Sequence, residues 1–231
     1  MHRAVVPPAR RGRSPRWLWL GAAGPGLFTA VFVVEDLARP AVNPWQQSIS
    51  FLSHGPWGWV QNLDFIGSGL LVLTFAGILA ASAMPATRRQ DQALARWQAL
   101  GGMGMVAMGL VRQHRMRAGG LATPFGYLTA MGIAHIAAAV AVLAAALGSC
   151  LLEATSPAAP AAWRIVSALA ALLLLASVAA FAVAVLQGGP SGLWERAAAL
   201  TAALWMAAEV RRLTARGEGR PPDHQEVAPP A

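Results

Sequence analysis

Six apolar runs, each about the length needed to cross a bilayer, take up most of this 231-residue chain, and nearly all of its arginines fall in the gaps between them. A helix needs about 20 mostly apolar residues to span a hydrocarbon core of about 30 Å, and only helices or closed barrels satisfy every backbone hydrogen bond there. The runs are Trp17 to Val34, Gly58 to Ala81, Trp97 to Val111, Phe125 to Leu152, Trp163 to Leu186 and Leu193 to Leu213. Breakers separate them: Pro40 and Pro44, Pro85, Gly119-Gly120 with Pro124, Pro157 and Pro160, and Gly188-Gly189-Pro190. The pattern predicts an all-α fold, a polytopic bundle of six transmembrane helices forming one domain over residues 17–213. Basic and charged tails, 1–16 and 214–231, lack the apolar content for a core.

Charge placement sets the expected orientation. All 18 basic side chains are Arg, and a formal charge of +8 raises the question of nucleic acid. Their positions answer it differently. With both termini cytoplasmic, the inner segments hold Arg3, Arg10, Arg11, Arg13 and Arg16, then Arg88, Arg89 and Arg96, then Arg164, then Arg211, Arg212, Arg216 and Arg220. Cytoplasmic loops carry such an excess of basic residues, so the expected location is the cell membrane, multi-pass, with the lipid bilayer rather than nucleic acid as partner. Arg112, Arg115 and Arg117 run against this bias, and the third run is short and glycine-rich. A five-helix alternative would leave that run on one side, at the cost of stranding the C-terminal arginines outside. Tryptophan favours the headgroup boundary, and Trp17, Trp19, Trp97 and Trp163 mark inner ends while Trp57, Trp59 and Trp194 mark outer ends. The first run is too long for the apolar region of a secretory signal and is expected to be a retained helix. A lone Cys150 excludes an intrachain disulfide.

The most distinctive stretch is the first outer connection and the helix it enters: Arg39-Pro40, Asn43-Pro44, Ser50, Gly55-Pro56-Trp57-Gly58-Trp59, Gln61, Phe65 and Gly69. It is longer than a plain turn, and its two readings are a lid over the outer face and an inert ordered connection. In these residues the chain resembles the bacterial membrane-protein family known as domain of unknown function 998, and the six-run arrangement extends the likeness over about Trp17 to Leu213. The resemblance implies a six-helix integral membrane protein and brings no established activity. Two polar features of that family are altered here. His114 stands where the family carries an Asp after the third helix. Where the family has His-Gly-x-x-His, this chain has Met131-Gly132-Ile133-Ala134-His135, which keeps only the second histidine.

Read from the residues themselves, Gln61, Asp64 and Ser68 fall at i, i+3 and i+7 and share a face of the second helix. A carboxylate at membrane depth is costly unless paired, protonated or hydrated, so Asp64 is either a ligand, proton carrier or general base, or else a structural or interfacial contact. His135 is a partner for Asp64, a metal ligand or a helix-packing residue. Two function classes follow. The first is non-catalytic binding of a lipid or small molecule, permeation or partner contact, through an outer polar pocket formed by Ser50, Gln61, Asp64, Ser68 and His135. The second is a membrane-embedded hydrolase acting on lipid, with Asp64 and His135 as catalytic candidates and Ser50 or Ser68 nearby. His54, Asp64, His114 and His135 are the residues available to a metal, without the compact spacing of a known motif. The sequence names no cofactor. Met103, Met105 and Met108 read as packing residues, and Glu209 reads as an interfacial partner of Arg212 three residues on. Phosphate-loop and nucleophile-elbow motifs are absent, which disfavours ATP hydrolysis and serine-hydrolase chemistry of that type.

Overall fold

The computed structural model describes residues 15–83, 87–111 and 130–218. Among these all regular structure is helical, with six long helices: α1 Leu20–Ala38, α2 Gly58–Ser82, α3 Arg88–Leu110, α4 Ala130–Ala154, α5 Ala161–Gln187 and α6 Ser191–Glu218. One 3-10 turn, Pro15–Trp19, leads into α1, and another, Ile49–Ser53, lies in the connection between α1 and α2. Each helix packs on its neighbour in sequence, and α6 closes back on α1, so the six form a ring.

Successive helices run in opposite directions. The end of α4 meets the start of α3 through Gln90 and Glu153 and the start of α5 through Glu153 and Trp163. The end of α6 joins the same group through Arg212. At the opposite end the last turn of α1 meets the first turns of α6 through Asp36 and Arg196. The start of α1 and the end of α6 therefore share one face of the bundle.

Among the described residues four helices are long and apolar enough to cross a membrane: Gly58–Ser82, Ala130–Ala154, Ala161–Gln187, and Trp17–Ala38, which includes the last residues of the 3-10 turn. On α5 the leucines at 169, 172, 173 and 175 are exposed, an uninterrupted apolar face suited to lipid rather than water. α3 and α6 have the length but carry more charge.

α3 begins nine residues before the apolar run at Trp97, and its local chemistry explains why. Gln90-Asp91-Gln92-Ala93-Leu94-Ala95 contains several strong helix formers, Asp91 sits in the first turn where the helix dipole favours an anion, and Thr87 Oγ1 donates to Asp91 Oδ2 at 2.5 Å. At 23 residues α3 is about 35 Å long, not the short element its apolar stretch alone suggests. α6 likewise runs beyond Leu213 to Glu218.

Close helix contact rests on facing glycines. A Cβ on Gly69 of α2 would lie 2.7 Å from the carbonyl oxygen of Gly102 on α3, and one on Gly102 would lie 2.9 Å from that of Gly69. Small residues let helix backbones approach where no water drives association. Gly69→Leu is therefore expected to destabilise the folded protein by about 1–3 kcal/mol or more, since the core must shift to admit it. Gly77→Ala, where a Cβ would meet no atom within 4 Å, serves as the neutral control. Thermal unfolding in detergent checks both, and a Gly69→Leu protein melting with the wild type would contradict this packing.

Candidate functional site

The outer half of the bundle, here the end opposite the start of α1, is organised by two arginines. Arg196, nine residues from the end of α5, places Nε and Nη2 on the two carboxylate oxygens of Asp36 at 2.7 and 2.6 Å. Its Nη1 donates to the carbonyls of Gln47 at 2.8 Å and Gly192 at 3.1 Å. Arg39 donates from Nη1 to the Leu52 carbonyl and from Nη2 to the Trp57 carbonyl, each at 2.7 Å, and also pairs with Glu35. These contacts draw the 39–57 connection down over the ring. Ile49 and Leu52 of its 3-10 turn are buried against Phe32, while Trp45, Trp57 and Trp59 remain exposed around the edge.

Beneath this cap lie two separate polar sets. In the first, Gln61 Nε2 and Ser68 Oγ donate to the two oxygens of Asp64, each at 3.1 Å. All three residues are buried, and Gln61 Oε1 has no partner within the protein. In the second, His135 lies between the carbonyl of Val111, 2.7 Å from Nδ1, and the hydroxyl of Ser50, 3.0 Å from Nε2. A carbonyl only accepts, so Nδ1 donates to it, and in the neutral ring Nε2 then accepts from Ser50. Asp64 and His135 are thus each engaged by other groups. Phe65 packs edge-on to the His135 ring with centroids 6.3 Å apart.

His54 places Nδ1 3.0 Å from the Phe51 carbonyl in the cap. His114 falls outside the described residues. Among those described, no three His, Cys, Asp or Glu side chains converge as a metal site.

A cavity of about 230 Å³ runs through the centre of the ring, with wall residues from all six helices and from Ile49 of the cap. Its surface is overwhelmingly apolar. None of Ser50, Gln61, Asp64, Ser68 and His135 lines it. The charged residue on the wall is Glu195, whose Oε2 accepts from the Ile49 amide at 2.8 Å. Sequence reasoning passed over Glu195. The available cue was an acid and a base side by side, Glu195-Arg196, inside the first turns of an otherwise apolar segment. Once Arg196 is committed to Asp36, its neighbour is left for the cavity and the cap.

The inner end has its own network. Arg212 donates to Glu209 from Nε at 2.6 Å and to Glu153 from Nη2 at 2.7 Å, and its guanidinium sits 5.2 Å from the centre of the Trp163 ring. Glu153 also accepts from Gln90 and Trp163. The expected Glu209–Arg212 pair is present, and Glu153 is the member that sequence reasoning did not find.

The described residues define an all-α membrane protein, a ring of helices around an apolar cavity with ion pairs at both ends. The family model described as "Protein of unknown function (DUF998)" matches residues 22–211, and the chain belongs to that family. No curated protein and no solved structure matches it.

Removing one partner from a buried pair leaves an uncompensated charge. Asp36→Ala is expected to cost about 3–5 kcal/mol, whereas Asp36→Ala combined with Arg196→Met should recover much of that loss. A double-mutant cycle on thermal stability checks the pairing. Strict additivity of the two substitutions would contradict it.

Proposed function

We propose that this protein is a six-span, non-catalytic protein of the cell membrane, with both termini cytoplasmic, that binds a lipid or small apolar molecule in its central cavity. The arginine distribution supports the orientation, with inner segments richer in Arg than outer ones. The charges on α6 do not argue against its crossing. Arg196, Glu209 and Arg212 are all turned into the bundle and paired there, so lipid does not meet them.

The observation that carries the binding reading is the cavity. It is walled by every helix and covered by a cap held down through Arg39, Glu195 and Arg196. At about 230 Å³ it exceeds an engineered apolar cavity of about 150 Å³ that stays dry and binds benzene. It is smaller than the roughly 300–1,000 Å³ of drug-sized sites. An acyl segment or a short apolar body fits that range better than a whole lipid. The polar groups around Asp64 and His135 then serve to hold helices and cap in register.

Filling the cavity tests this directly. Ala202→Phe projects a ring into the space without touching either charged network. Organic extraction and mass spectrometry of purified protein should recover a molecule from the wild type that is depleted about fivefold or more in Ala202→Phe. An identical profile from both would reject the cavity as a binding site.

A second reading has one specific observation in its favour. The Ser50 hydroxyl bonded to a ring whose other nitrogen is fixed by a carbonyl has the connectivity of a serine–histidine nucleophile pair. Both residues are buried, and neither faces the cavity, so a substrate would need the cap to open. A membrane-permeant fluorophosphonate is expected to leave Ser50 unmodified. Labelling that disappears in Ser50→Ala and in His135→Ala would support the lipid-hydrolase reading over binding alone.

A further inference from the structure

Glu195 is a carboxylate that the fold has placed on the wall of an apolar cavity, and its surroundings indicate what it faces. It is part-buried and lines that wall. Oε2 is held by the Ile49 amide, so the carboxylate is fixed in direction rather than free to turn away. The nearest cation in sequence, Arg196, gives Nε and Nη2 to Asp36 and Nη1 to two carbonyls. Arg39 is likewise committed to Glu35, Leu52 and Trp57. Among the wall residues Glu195 is the charged group, and none of the others is a cation.

Aromatic side chains gather around Glu195 on this wall. Phe28 of α1, which packs beside Ile49, and Phe181 and Trp194, near the outer ends of α5 and α6, place aromatic surface in the half of the cavity where Glu195 sits. Farther in, Trp205 is the aromatic member of a wall made otherwise mostly of aliphatic and small residues such as Leu174, Ala202 and Met206. Aromatic faces and a carboxylate both attract an ammonium group, through the ring quadrupole and through direct charge, and both disfavour an anion. The alanine-rich inner half accepts a flexible alkyl chain.

We propose that the cavity is a site for a cationic amphiphile, an alkyl chain ending in an ammonium group, with Glu195 taking the ammonium and the inner wall taking the chain. This rests on the cavity-binding reading above and adds to it the charge and direction of the ligand. A membrane anion such as a fatty acid, which would share the chain but invert the charge, is excluded by the same arrangement.

The test uses the full chain in nanodiscs of zwitterionic lipid and three probes, each an eight-carbon chain bearing a diazirine: an amine, an alcohol and a carboxylate. After photolysis, labelling of peptides containing 194–206 is normalised to labelling of the exposed α5 face at 169–175, which removes differences in partitioning into the bilayer. The amine is expected to exceed the carboxylate by about tenfold or more in the wild type. Glu195→Gln, which keeps an oxygen to accept from Ile49, should bring that ratio close to one while the alcohol still labels. Ala202→Phe should suppress all three. Equal labelling by amine and carboxylate in the wild type, or a preference that survives Glu195→Gln, overturns the assignment of Glu195 and leaves the cavity reading standing. Absence of cavity labelling by any probe overturns both. If Glu195→Gln fails to fold, the wild-type ratio alone still decides the sign of the ligand.

Discussion

The bidentate contact between Arg196 and Asp36 is the interaction on which the outer half depends. It joins the first helix to the last and so closes the ring. The same guanidinium reaches the Gln47 carbonyl and thereby fixes the cap to α6. A buried ion pair is a weak source of net stability, because desolvation offsets most of the attraction, but it is a strong source of geometry. Here it selects one closure of the ring over others that would leave a guanidinium in hydrocarbon. Arg212 does the equivalent at the inner end, drawing together α4, α5 and α6 through Glu153, Glu209 and the face of Trp163.

This use of charge explains what could and could not be read from the sequence. The apolar runs and their breakers located all six helices, because twenty apolar residues in a row have few other ways to satisfy their backbone. Boundaries failed where polar residues continue a helix, as in Arg88 to Arg96, since hydropathy is silent about helix propensity and capping. The grouping of Gln61, Asp64 and Ser68 follows from their spacing on one helix. The meeting of Ser50 with His135, 85 residues apart, and of Asp36 with Arg196, 160 residues apart, depends on tertiary closure and left no local trace. Glu195 was missed for a related reason. Its role is visible only when Arg196 is seen to be occupied elsewhere.

The polar sets and the cavity occupy different parts of the bundle. The polar residues concentrated near the first outer connection hydrogen-bond one another, the backbone and the cap, whereas the interior space is apolar and carries its charge on a different helix. Ser50, Gln61, Asp64, Ser68 and His135 lie beside this cavity's wall and do not line it. The cavity borders Glu195, which the Ile49 amide ties to the cap.

The central claim is that α6 crosses the bilayer with Arg196, Glu209 and Arg212 paired inward. Thiol labelling of intact cells tests it most directly, using single cysteines placed at Gln187, Ala158 and Arg216 in a Cys150→Ala background. The account predicts that a membrane-impermeant maleimide reaches position 187 in intact cells and reaches 158 and 216 only after the membrane is opened. Labelling of 187 and 216 from the same side would mean that α6 does not cross, and the ring, its cavity and the proposed ligand site would fall with it.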